Sequence, residues 1–136
     1  MRLWHKWLIS VLPRKQLLGQ WRECCLIAKN IAEKGTPNHL LVNRIMDYPE
    51  SHFNTYTESV AYEMWSRGYE CDWNKFMQYR INRARWDDNR IFANWHDERY
   101  LRQCLYNLQE KYDCGGISGF EWDKIYYAFK EYIDED

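Results

Sequence analysis

The chain has 136 residues, of which 46% are hydrophobic and 18% aromatic, with a formal net charge of −1 and a pI near 6.4. That length and that wealth of rings predict one packed domain and exclude a disordered chain. The missing basic excess excludes a globally cationic nucleic-acid binder, and no apolar run approaches the roughly 18 residues of a membrane span.

Charge is nevertheless unevenly placed. Residues 1 to 48 carry eight Lys/Arg against three acids, and the remainder eleven against seventeen. Lys75, Arg80, Arg83, Arg85 and Arg90 form a second basic cluster, and Glu131 to Asp136 is purely acidic in its charges. This asymmetry allows one phosphate-facing side on a nearly neutral protein. Five cysteines, an odd number with an adjacent pair at Cys24-Cys25, fit reduced thiols better than a disulfide framework. Cys and His nowhere take zinc spacing, and there is no phosphate-binding glycine loop or nucleophile elbow, so neither metal nor cofactor is expected.

In chain order, Met1 to Leu8 reads as an extended arm, free to fold back over the helix that follows. Arg2, His5 and Lys6 interrupt this opening, and no small-residue cleavage site follows, which argues against a signal peptide and predicts a soluble, cytoplasmic chain. Pro13 heads the first helix, which stops near Lys34-Gly35. At 100° per residue Leu17, Leu18, Trp21, Cys24, Cys25, Ala28 and Ile31 share one arc, and Lys15, Gln16, Gly19, Arg22 and Glu23 the other. Glu23 is the only carboxylate on that outer face, beside Arg22 and one turn after Gly19, which has no side chain to obstruct an approaching molecule. Such a group is either a site or a solvated helix surface.

His39-Leu40-Leu41-Val42 reads as a short apolar segment, with His39 a core or capping residue or a neighbour of the site. A second helix runs from about Pro49 to Arg67, with Phe53, Tyr56, Val60, Ala61 and Met64 at helical spacing. From Trp73 to Trp86 arginines interleave with aromatic residues. They could contact phosphates and bases, or form a helix that packs its rings inward while its arginines snorkel. The third helix, Asp97 to Asp113, has the cleanest apolar stripe and reads as scaffold. Ser118 caps a fourth helix through Ile133. There is no period-2 strand pattern. The expectation is an all-α fold, a single compact domain over residues 1–136 of three long helices plus shorter ones.

Met1-Arg2-Leu3-Trp4, with Leu17-Leu18-Gly19 and Arg22-Glu23 on the first helix, resembles the opening of the pyrimidine-dimer DNA glycosylase family, the phage endonuclease V type and its bacterial relatives. Similarity continues in Asn38-His39-Leu40, in Glu63-x-x-x-Arg67-Gly68-Tyr69 and in the helix from His96 to Tyr112, covering the chain to about Ile117, with 118–133 as a C-terminal helix. The resemblance implies an endonuclease V-like fold and a DNA-repair glycosylase/AP lyase acting on double-stranded damaged DNA. A terminal amine would attack C1′, expel the base and cut the strand through an imine, so Met1 and Glu23 are the catalytic candidates. Arg2, Lys15, Gln16, Arg22 and His39 are the DNA-binding candidates. General chemistry agrees, since an α-amine titrates near 7.7–8.0 against about 10.4 for lysine and is partly nucleophilic at neutral pH. Two positions depart from the family pattern. Bulky Arg2 follows Met1, which puts the amine on Met1 itself, and Leu26 replaces a family arginine. The alternative is a non-enzymatic helical module that binds nucleic acid or protein.

Overall fold

A computed structural model describes residues 1–134; the last two residues of the acidic end, Glu135 and Asp136, lie outside the described residues. It is all-helical, with α1 (Arg14–Lys34), α2 (Glu50–Ser66), a single turn α3 (Asn74–Met77), α4 (Glu98–Asp113) and α5 (Gly119–Ile133), plus 3₁₀ segments at Lys6–Val11 and Asn43–Asp47. None of these helices is long and apolar enough to cross a membrane.

The helix ends follow from local chemistry. Gly35 closes α1 in the left-handed region at φ 75°, its N–H donating to the Ile31 carbonyl, a conformation that costs glycine nothing. Asp97 caps α4 by accepting from the Tyr100 N–H, and Ser118 and Glu121 form a reciprocal capping box at α5. Pro13 and Pro49 each stand at the cap just outside their helices.

The centre of the core is α2. Residues 51–57 are buried without a break, where a helix lying on a surface would bury only every third or fourth residue. The reason is that α1 and both 3₁₀ segments pack against it. Fully buried Phe53 and Tyr56 hold the middle of the layer, each worth about 1.5–3 kcal/mol of burial. The other layer is α4 with α5, joined to the first through the Lys6–Val11 segment, which packs on both α2 and α5.

Four expectations are corrected. The opening is extended only to His5 and then coils as a 3₁₀ helix, started by the His5 Nδ1 accepting from the Trp7 N–H at 3.1 Å. The buried arc of α1 is Leu17, Gln20, Trp21, Cys24, Ile27 and Ala28, rotated toward Glu23; Leu18 and Cys25 are only half-buried. The 73–86 segment is one helical turn followed by loop, with every residue from 81 to 90 exposed. Its Arg80 does not face solvent: it is buried, donates to the Asn54 Oδ1 at 2.8 Å and lies over the Phe53 and Phe76 rings. Finally, the apolar segment at 39–42 buries Val42 but leaves Leu40 and Leu41 in solvent. All five cysteines are free thiols.

Candidate active site

Residues 1–5 form an arm laid across α1, α2 and α4, and its backbone is held by side chains. The Gln20 amide is the centre of the clamp: its Oε1 accepts from the Trp4 N–H at 2.8 Å and its Nε2 donates to the Arg2 carbonyl at 3.0 Å. The Tyr56 hydroxyl lies 2.7 Å from the Trp4 carbonyl and 3.0 Å from Gln20 Oε1, one proton between two acceptors. The Tyr100 hydroxyl donates to the Leu3 carbonyl, and the Arg2 N–H points at Glu23 Oε2 at 3.4 Å. Leu3 and Trp4 are buried beneath. A short extended segment cannot satisfy its own peptide groups, so these five side-chain bonds fix its register over α1.

Burial keeps the clamp in its donor form. Desolvation pushes the Tyr56 and Tyr100 hydroxyls above their ordinary range, so both remain protonated. Further along, the Lys6 N–H donates to His96 Nδ1 at 3.0 Å, and His96 stacks on His5 at 5.1 Å. Burial is the main cause holding both imidazoles below the usual histidine value, His5 at about 4, and the Nε2 atoms of both are buried without a partner. The pair is therefore neutral at pH 7.

Met1, Arg2, Trp4, Glu23, Leu41, Asn107 and Lys111 line a cleft of about 270 Å³. A second cleft of about 330 Å³ adjoins it, sharing Arg2 and Leu41 and adding Leu40, Arg44, Asn94, Trp95, Asp97, Arg99, Tyr100 and Gln103. Along α4 the lining residues Arg99, Gln103, Asn107 and Lys111 recur every fourth position, the spacing that stacks side chains on one helix face. The helix read as scaffold thus has two working faces: Leu101, Cys104, Leu105 and Leu108 enter the core, and this polar ladder walls the clefts. Arg2 bridges the two walls, its Nη1 3.8 Å from the Cys104 sulfur and its guanidinium 5.5 Å from the Trp4 ring centre.

Of the residues singled out from sequence, Met1, Arg2 and Glu23 come together in one cleft. The others are dispersed. Arg22, about 100° around the helix from Glu23, lines a separate cleft with Glu70, Asp72 and Lys75. Lys15 and Gln16 line another with Arg14, Gly116 and Glu121. His39 lies in the turn before the Asn43–Asp47 segment, its Nδ1 accepting from the Leu41 N–H at 3.3 Å. Gln20, Tyr56, Tyr100 and the α4 ladder were not anticipated. For Gln20 a signal existed: a glutamine stands within the buried stripe that Leu17, Trp21 and Cys24 define, and a buried polar residue implies a specific partner. Tyr56 and Tyr100 gave none, because a tyrosine in an apolar stripe reads as core. Among the described residues no group of three or more His, Cys, Asp or Glu could hold a metal ion.

A family model described as pyrimidine dimer DNA glycosylase matches residues 1–77. No curated protein and no solved structure matches the chain.

Proposed function

Since that match takes in more than half of the chain, the protein belongs to the pyrimidine dimer DNA glycosylase family, and we propose that it excises damaged pyrimidines from double-stranded DNA with the α-amine of Met1 as nucleophile and Glu23 as its carboxylate partner. The observation that carries this reading is that Met1, at the head of an arm whose register the Gln20 clamp determines, lines the same open cleft as Glu23.

The neutral amine attacks C1′ of the damaged nucleotide. A C1′–N bond to the enzyme forms as the glycosidic bond breaks, and the base leaves with the bonding pair and takes up a proton. Opening of the sugar ring gives the imine; loss of a C2′ proton then expels the 3′ phosphate and cuts the strand, and water releases the enzyme. Glu23 faces the carbon on which positive charge develops, and a carboxylate there favours the charged transition state over the neutral ground state. The same carboxylate relays protons to the sugar. Arg2 and Lys111, which both line this cleft, supply cations for the flanking phosphates. Gln20, Tyr56 and Tyr100 are positioning residues: they touch the arm and not the reacting atoms. Lys15, Gln16, Arg22 and His39 stand outside this cleft, so contact from them would belong to more distant DNA.

Borohydride trapping on DNA with an abasic site tests the reading. Protein whose chain begins at Met1 should form a covalent adduct that maps to Met1. An N-terminal extension turns the amine into an amide, whose lone pair is delocalised, and should abolish the adduct, whereas a C-terminal tag should not. Equal trapping of N-terminally extended protein, or an adduct on Lys111, would refute the terminal-amine mechanism.

A further inference from the structure

The Lys6–Val11 segment, α2 and the 85–91 loop enclose a cleft of about 480 Å³ that shares no lining residue with the two clefts at the arm and is larger than either. Its size falls within the roughly 300–1,000 Å³ of small-molecule sites. The walls are tied to one another through backbone groups. Lys6 Nζ donates to the Asn89 and Ile91 carbonyls at 3.0 and 2.6 Å, which joins the 3₁₀ segment to the loop. Thr55 Oγ1 accepts from the Trp86 N–H at 2.7 Å and holds the same loop to α2. Arg67 pairs with Glu63 at 2.8 Å and donates to the Ser10 and Leu12 carbonyls, which joins α2 to the 3₁₀ segment. Lys6, Glu63 and Arg67 are thereby committed to the frame.

The rest of the lining is of another kind. Trp7 is 49% exposed, its ring braced against His5 at 5.0 Å, and Tyr62 is 70% exposed. Two such rings in one cleft, both left open to water, mark a surface for a ligand rather than for packing. Beside them Arg85 pairs with Glu58 at 2.6 Å while its side chain stays 58% exposed, and Asp88 enters no ion pair among the described residues. Each of these groups suits one part of a nucleotide. A base stacked on an aromatic ring gains about 1–3 kcal/mol. An ionised carboxylate only accepts, so it matches two adjacent donors, the N1–H and N2 amino group of guanine, and opposes the N1 lone pair that adenine sets beside its amino group. A guanidinium forks onto phosphate oxygens.

We infer that this cleft binds a guanine mononucleotide, its base stacked on Trp7 and Tyr62, its N–H edge on Asp88 and its phosphate on Arg85, which Glu58 holds in place. The site stands apart from the glycosylase reading, because it uses no residue of the arm clefts and its binding needs no DNA.

Isothermal titration calorimetry of the whole chain without DNA tests this. Guanosine monophosphate should bind, and guanosine and adenosine monophosphate should each bind about tenfold more weakly. Trp7→Ala and Tyr62→Ala should each weaken guanosine monophosphate about tenfold, whereas Tyr62→Phe, which keeps the ring, should not. Arg85→Ala should reduce the nucleotide to the affinity of the nucleoside, and Asp88→Asn should narrow the preference for guanine over adenine. The side chains of Tyr62, Arg85 and Asp88 are exposed, so these variants should keep the wild-type melting temperature. Absence of binding at millimolar guanosine monophosphate would overturn the site, as would binding that Tyr62→Ala and Arg85→Ala leave unchanged or adenosine monophosphate binding as tightly. An oligothymidylate that displaces the nucleotide would overturn it in favour of a nucleic-acid strand. Failure of borohydride trapping on abasic DNA would remove the glycosylase mechanism and leave the titration result standing.

Discussion

Gln20→Leu is the most informative single change, because it removes the clamp and keeps nearly the same volume in a core position that is 1% exposed. It leaves the Trp4 N–H and the Arg2 carbonyl without their partners, while Tyr56 still donates to the Trp4 carbonyl. An orphaned buried polar group costs about 1–3 kcal/mol. The Trp4 N–H incurs that in full; the Arg2 carbonyl, only partly buried, can recruit water, so the total is about 2–4 kcal/mol. Against this, burial of Leu3 and Trp4 holds the arm down by roughly 1.5–3 kcal/mol each. The arm should therefore stay docked with a looser register. The melting temperature should drop by roughly 5–15 °C, and single-turnover trapping on abasic DNA should slow by about a hundredfold, as expected when reacting groups are misplaced by an ångström. Differential scanning fluorimetry and borohydride trapping read the two effects. A melting temperature within about 2 °C of wild type would show that the amide does not hold the arm. Lost stability with unchanged trapping would show that the arm's register is irrelevant to the chemistry.

Glu23→Gln should abolish strand cleavage and change stability by no more than about 0.5 kcal/mol, because the side chain is at the edge of the buried arc and an amide oxygen can still accept from the Arg2 N–H; a large fall in melting temperature would make Glu23 structural instead. Arg80→Ala should cost about 2–4 kcal/mol in urea denaturation while leaving DNA affinity near wild type, since the guanidinium is spent on Asn54 and two phenyl rings; weakened binding by a fully stable variant would return it to the DNA surface. Lowering the pH should destabilise the fold between pH 6.5 and 4. His5 titrates at about 4 when folded, against 6.5 unfolded, so the unfolded chain binds more protons in that window and is favoured as pH falls. His96 acts in the same direction, and its Nδ1 cannot take a proton without losing the Lys6 N–H. A melting temperature constant from pH 7 to 5 would contradict this. DNA affinity should fall steeply between about 50 and 200 mM salt, and the Arg44→Ala, Arg99→Ala double variant should flatten the slope; an unchanged slope would remove these clefts from the phosphate path.

The periodic signals needed no tertiary information. Gly35, Asp97 and Ser118 mark helix ends through cap chemistry that operates on the nearest few residues, and the stripes of α4 and α5 follow from a 3.6-residue repeat meeting water on one side. The Met1-Arg2-Leu3-Trp4 and Arg22-Glu23 pattern was also legible, because a family resemblance resides in residue identity. Tertiary structure decided whatever depended on a partner distant in the chain. Gln20, Tyr56 and Tyr100 are ordinary helix residues until the arm crosses them, because a hydrogen bond over 18, 52 or 97 positions leaves no local trace. Arg80 carries the same charge buried or exposed, and only the facing Asn54, Phe53 and Phe76 make it structural. Leu40 is the converse case: apolarity predicts burial for nearly every leucine, yet the bracing of His39 and Asn43 turns this one outward. The proposed reacting groups are thus named by sequence and everything that holds them in place by the fold, since reactivity belongs to a side chain and position belongs to its neighbours.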